Sequence, residues 1–271
     1  MRGSSRSALV ALEGALDQAL TQGVDRGALA EDLFAIVGVV DGSATLRRAL
    51  ADPSRPSEDK RALVGSLFGG KVGDDAVKLA GEAAAQRWSD ERDLTDSLES
   101  LAVQSLLAKA EGESRIDDVE DQLFRFERIV AGDAGLRDTL SMRNTDAKGK
   151  SGLVRSLLEG KVHPETLRLA EQAVSVPRGR RLDRSMGEYL ALASRRRDEL
   201  AAQVTVARPL DEQQAARLRS ALESIYGKAV KLQVVIDESV LGGIRVQIGD
   251  EVVDGTILRR LDEARRHVTG S

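Results

Sequence analysis

Apolar residues recur at helical intervals through roughly the first two hundred positions of the chain. Leu33, Ile36, Val37 and Val40 form one such stripe, and Leu63, Val64 and Leu67 form another. A spacing of three and four residues places these side chains on one helical face, the face that turns to a core. The same design returns 90 residues later as Leu123, Phe126 and Val130, then Leu153, Val154 and Leu157. Aligned without a gap, Leu33–Ala83 and Leu123–Ala173 are identical at 19 of 51 positions. Chance similarity between amphipathic helices does not hold one register through several turns and loops, so a domain duplication is inferred. Extending the offset outward sets Ala8–Leu20 against Leu98–Ala110, and Leu79–Leu107 against Leu169–Asp198. Each copy is then a small bundle of five or six short helices. The expected limits are residues 1–108 and 109–198, with a helix running through the junction. Pro53, Pro56 and Ser57 break the first copy between helices, and Asn144-Thr145-Asp146 does so in the second. Ser57 followed by Asp59 and Lys60 resembles a helix start. Gly70 and Gly160 follow a helix where a left-handed residue is expected.

Beyond residue 198 the period shifts towards two. Ala202–Val206 alternates as a strand. Pro209-Leu210-Asp211 opens a helix through Tyr226, with Leu218, Leu222 and Ile225 on its inner face and Gly227 as its stop. Val230–Ile236 and Gly243–Ile248 alternate and are expected to pair. Gly242 and Gly243 allow a sharp turn, Gly249-Asp250 a tight hairpin, and Val252–Val253 a very short strand. Asp254 is placed to cap a final helix with Ile257, Leu258 and Leu261 turned inward. The expected fold class is therefore α+β: two tandem small all-helical bundles, then a small α/β carboxy-terminal unit over residues 199–271, its sheet covered by two helices.

Composition narrows the function classes. Aromatic residues are only 3% of the chain against 41% hydrophobic, so Ala and Leu do most of the packing. Lys+Arg 40 against Asp+Glu 44 gives a net charge of -4, which supplies no general attraction to nucleic acid. The chain has no cysteine and only two isolated histidines, His163 and His267, so neither a thiolate centre nor a histidine-rich metal centre is expected. Both histidines read as exposed turn or helix-surface positions. The first residues are too polar for a signal peptide, and no window approaches 18 uninterrupted apolar residues. A soluble protein without direct membrane insertion and without a cofactor is expected.

Enzyme signals are weak. Gly65 through Lys71 has the spacing of a phosphate loop, but Val72 stands where a magnesium-binding Ser or Thr belongs, and the second copy puts Arg155 in place of the first glycine. Lys71 and Lys161 are better placed to meet carbonyls at helix C-termini. Asp237, Glu238, Asp250 and Asp254 lack the defined pairing that acid–base chemistry needs; turns and caps account for the Asp residues. Arg178, Arg180, Arg181 and Arg195-Arg196-Arg197 form basic patches without interleaved aromatics, and a solvated helix face is expected there, with contact to an acidic protein partner as the functional alternative.

The stretch from Ala207 to Glu263 resembles the signature segment of the F-type ATP synthase delta subunit, the OSCP family. The matching positions are Pro209-Leu210, Gly227-Lys228, Asp237, Gly242-Gly243, Gly249-Asp250, Asp254-Gly255 and Leu261. Pro177–Ala193 is similar to the family's Gly-Arg-containing segment between late bundle helices, while Arg87–Ala102 lacks the Gly-Arg pair. Two bundles before the α/β part resemble the long actinobacterial-type form, where the family normally has one. The resemblance implies a non-catalytic peripheral-stalk subunit of the proton-translocating synthase, on the cytoplasmic face of the cell membrane. It implies that a bundle receives the amino-terminal segment of the alpha subunit, and that the carboxy-terminal unit engages the carboxy-terminal region of the b subunit. Candidate bundle contacts are Leu9, Leu12, Leu16, Leu98, Leu101 and Leu190. A free-standing protein-interaction adaptor of the same fold is the alternative.

Overall fold

The computed structural model describes residues 3–141, 146–237, 243–248 and 251–254. Its helices are α1 Gly3–Thr21, α2 Arg26–Gly42, α3 Ala44–Ala51, α4 Ser57–Phe68, α5 Asp74–Ala85 and α6 Glu91–Gly112, then α7 Ile116–Gly132, α8 Ala134–Ser141, α9 Ala147–Leu158, α10 Pro164–Ser175 and α11 Leu182–Asp198. Helices α7 to α10 begin and end 90 residues after α2 to α5, residue for residue. Helix α6 stands at the same interval from α1, and α11 from α6. Thus α6 is at once the last helix of the first copy and the first helix of the second. It crosses the expected 108/109 limit unbroken and packs against α1, α2, α3 and α5 as well as α7 and α10. One apolar core runs from Ala8 to Ala193 across both copies.

Local chemistry explains the repeated boundaries. Asp25 caps α2 through the amides of Gly27 and Ala28, and Ser43 caps α3 through Leu46. Ser57 opens α4, but its hydroxyl donates to the Ala85 carbonyl at the end of α5 and does not cap its own helix. Asp146 caps α9 through the Lys148 amide, and His163 stands at the start of α10 ahead of Pro164 without a side-chain cap bond. Asn144 and Thr145 lie outside the described residues. Gly70 and Gly160 take φ +71° and +73°, the left-handed stop expected in both copies. Lys71 and Lys161 donate to the carbonyls of Leu67 and Leu157 at 2.8 and 2.9 Å.

The chain divides into two units, Met1–Arg197 and Asp198–Ser271. The second holds β1 Glu199–Val206, α12 Glu212–Tyr226, β2 Ala229–Ile236, β3 Ile244–Ile248 and β4 Glu251–Asp254, with sheet order β2-β1-β3-β4. Here the expected pairing is corrected. Val230–Ile236 and Gly243–Ile248 do not pair with each other: β2 joins β1 in parallel and β3 joins β1 antiparallel. A β1-α12-β2 crossover makes the parallel pair, and strand alternation alone does not reveal which neighbour a strand chooses. Asp211 and Gln214 form a capping box at the start of α12, and Gly227 ends it at φ +65°. Leu222 packs with Ala202, Val204, Val206, Val230 and Val246, flanked by Leu218 and Tyr226, whereas Ile225 is 71% exposed and does not face inward. The short strand at Val252–Val253 is β4, whose register with β3 pairs Ile248 with Glu251. Asp254 is the last residue of β4. Gly242, Gly249, Asp250, Gly255 and Leu261, and the expected final helix, lie outside the described residues.

Candidate functional site

The expected bundle contacts separate into two groups. Leu12, Leu16, Leu98 and Leu101 are 1%, 1%, 1% and 0% exposed; they fill the core and present no surface. They are corrected from candidate contacts to packing residues. Leu9 and Leu190 are partly exposed. Leu190 lines a cleft of about 460 Å³ between α7 and α11, together with Ala191, Phe124 and the acidic residues Asp117, Glu120 and Asp121. Phe124 is 53% exposed, while its counterpart Phe34 in the first copy is 5% exposed. Helix α2 packs closely on α6, and the Arg168 guanidinium covers the Phe34 ring at 4.4 Å. The same aromatic position is therefore sealed in one copy and open in the other. Phe124 was not singled out by sequence.

The Pro177–Leu182 segment folds back on α6. Arg178 and Arg180 both ion-pair with Glu99, Arg178 also reaches Asp96 at 3.0 Å, and Arg180 reaches Glu188 at 2.6 Å. Tyr189 donates its hydroxyl to Glu99 Oε1 at 2.9 Å. The Arg178 and Glu99 side chains are each 2% exposed, so the expected solvated basic face is corrected: only Arg181, 84% exposed, fits it in this segment. The turn sets Arg178 at φ +50° and Gly179 at φ +75°, a conformation sustained by the ion pairs it delivers. Burial raises the Asp96 carboxyl against the lowering effect of Arg178. Burial, then the Glu99 charge, lifts the Tyr189 hydroxyl well above its ordinary value. Burial works against charge on Arg180, but Glu99 outweighs it and its pKa rises. These are structural ion pairs that fix a loop to the shared helix; nothing in them resembles an acid–base pair facing a substrate. Glu99 is the signal in the sequence: a carboxylate among Leu94, Leu98 and Leu101 demands a buried cation.

The two copies are also tied across their seam. Glu165 of α10, with a wholly buried side chain, accepts from Lys109 at 2.8 Å and Arg115 at 2.9 Å. Burial alone would raise its pKa, but the Lys109 hydrogen bond and the two cations bring it below the ordinary value. Arg168 pairs with Glu31 at 2.7 Å, and Arg196 with Glu111 at 2.6 Å.

Other chemical candidates resolve as structure. The Gly65–Lys71 stretch runs off the carboxy-terminal end of α4, where carbonyls and not amides point outward, which suits a cation and repels phosphate. His163 contacts Asp118 at 3.3 Å and is 30% exposed. Asp237 donates its amide to the Val206 carbonyl at 2.9 Å, closing the end of β2 on β1. Gly243 adopts φ +114°. Among the described residues no group of three or more His, Cys, Asp or Glu is placed to hold a metal, and no helix is long and apolar enough to cross a membrane.

A large helical scaffold braced by buried ion pairs, followed by a small mixed sheet, defines the class: an α+β protein, mostly helical. The family model for the ATP synthase delta (OSCP) subunit matches residues 103–268. The chain is 43% identical to the ATP synthase subunit delta of Streptomyces griseus, covering all of both chains. It is 40% identical to that of Kineococcus radiotolerans, over 99% of this chain and 98% of the relative, and 44% identical to that of Streptomyces avermitilis, over 98% of each. The chain belongs to the ATP synthase delta (OSCP) subunit family. Its members are structural stator subunits, peripheral components of a membrane-bound synthase that serve ATP synthesis and ion transport without catalysing either.

Proposed function

We propose that this chain joins the catalytic head of a proton-translocating F-type ATP synthase to its b-subunit stalk, and holds the head against rotor torque from the cytoplasmic side of the membrane. The family match to residues 103–268 carries the reading. It begins within the shared helix and spans helices α7 to α11 and the α/β unit, so the second copy takes the family's usual bundle role and the first copy is the addition. The alpha subunit's amino-terminal segment, laid as an amphipathic helix, fits the α7–α11 cleft with apolar side chains on Phe124, Leu190 and Ala191. Burial of apolar surface there contributes roughly 25 cal/mol per Å² before ordering costs. The b subunit's carboxy-terminal region is assigned to residues 199–271.

Pull-down with an isolated alpha amino-terminal peptide and a b carboxy-terminal fragment tests both joints. Deleting residues 203–271 should abolish b capture and leave alpha capture intact; b affinity retained in that truncation defeats the assignment. Phe124→Asp should weaken alpha capture by about tenfold or more.

A further inference from the structure

The second bundle contains a cavity of about 1050 Å³ framed by α7, α8, α9, α10 and the turn before α11. It is larger than, and separate from, the α7–α11 cleft. The duplication supplies an internal reference for it, because the first copy fills the corresponding region with its own contacts. There Arg47 is clamped between the Asp41 carbonyl at 2.7 Å and the Glu91 carboxylate at 3.3 Å, its side chain 10% exposed. Lys60 donates to the Gln86 carbonyl at 3.3 Å, Ser57 to Ala85 at 3.1 Å, and Trp88 is buried. In the second copy several of these closures are altered. Glu91 corresponds to Arg181, Asp90 to Arg180, Asp41 to Ala131 and Ser57 to Ala147. Arg137, the counterpart of Arg47, keeps the carbonyl contact, to Ala131 at 3.4 Å, but loses the carboxylate and is 49% exposed. Lys150, the counterpart of Lys60, lines the cavity and is only 5% exposed, and its side chain has no hydrogen-bond or ion-pair partner among the described residues.

An ammonium on a cavity wall with no acceptor from the chain is one that an anion can engage. The first copy shows what these positions hold when satisfied: oxygen acceptors contributed by the chain itself. We infer that the second-copy cavity binds an acidic peptide segment, with one Glu or Asp carboxylate on Lys150 and flanking apolar side chains on Val130, Leu140, Val174 and Met186. The apolar share of the wall favours a carboxylate carried on an apolar stem over a free inorganic anion. Arg180 and Arg181 add positive charge at the rim, although Glu99, Glu188 and Asp183 already engage them. The inference rests on the family reading only in choosing a polypeptide as the source of the carboxylate.

Calorimetry on the full chain with acetyl-Leu-Glu-Leu-amide, its Gln analogue and sodium acetate tests it, with the Lys150 ε-CH₂ signal followed by NMR. The Glu peptide should bind and shift that signal, the Gln peptide should bind about tenfold more weakly, and acetate should bind more weakly still. Lys150→Met, which keeps the apolar stem, should remove the preference of Glu over Gln. Arg181→Glu at an exposed position restores the first-copy partner for Arg137 and should also reduce binding; its melting curve checks that the fold is kept. No binding of the Glu peptide up to roughly 10 mM, equal affinity for the two peptides, or an unmoved Lys150 signal overturns the site. Acetate binding as tightly as the Glu peptide overturns the peptide assignment and leaves a simple anion site. Alpha-peptide capture by Lys150→Met should remain intact, so failure here is distinguishable from failure of the proposed function.

Discussion

At the scale of single residues, charge buried in the bundle decides more than charge counted along the chain. Glu99 neutralises two arginines and accepts from Tyr189, all within a nearly dry region. Glu99→Gln should therefore cost about 3 kcal/mol in urea unfolding, since it leaves buried guanidiniums without their anion. Glu188→Gln, at a 41% exposed side chain, should cost under about 1 kcal/mol. Glu165 carries a separate acid signature. Its folded pKa lies below its ordinary value of 4.5, so its contribution is complete above that value and is lost as pH falls through the folded pKa. The stability gap between wild type and Glu165→Gln should shrink as pH is lowered below 4.5, measured by thermal melts across that range. The sequence made Glu99 visible only as a carboxylate on an apolar stripe, and its cations only as a surface patch. Leu12, Leu16, Leu98 and Leu101 show the same limit from the other side. A groove and a core use one helical period, and only the neighbours reveal which is present.

At the scale of elements, the repeat was the most legible feature because packing constrains spacing more tightly than it constrains identity. The paired helices keep their lengths although most residues in them differ. The stops are equally legible: a glycine past the last apolar position must adopt positive φ in both copies. No neighbouring atom lies within 4 Å of a Cβ added at Gly70 or at Gly160. Gly70→Ala and Gly160→Ala should each cost about 1 kcal/mol, and the two values should agree, because backbone conformation alone sets the cost. A difference beyond error in parallel chemical melts would show that one stop carries tertiary strain. Strand partners were not legible in this way. Ala202–Val206, Val230–Ile236 and Gly243–Ile248 all alternate, and alternation fixes which face is buried without fixing order. The crossover through α12 places β1 centrally between β2 and β3, a choice made by the length of the connection and the covering helix.

At the scale of the whole chain, the decisive fact is that α6 is counted twice. The two outward extensions of the 90-residue offset both claim residues 98–107, once as an opening helix and once as a late one. That double claim shows at sequence level why cutting at 108/109 divides a working part. Such a cut takes from the second copy the part of α6 that anchors its Arg178–Arg180 turn through Glu99, and with it Leu94, Leu98, Leu101 and Leu107 of the common core, all between 0% and 1% exposed. Removing four such leucines forfeits on the order of 6 kcal/mol or more of apolar burial, comparable with the total stability of a small domain. A fragment of residues 91–197 should therefore melt cooperatively by circular dichroism, whereas 109–197 should show reduced helicity and no sharp transition. The reciprocal fragments of the first copy should behave alike, with 1–112 folding and 1–90 failing. A helix common to both bundles also transmits bending without a hinge, reinforced at the seam by Lys109–Glu165, Arg168–Glu31 and Arg196–Glu111. If 109–197 folded as well as 91–197, the bundles would be separable beads, and the stiffness expected of a stator would have to originate elsewhere.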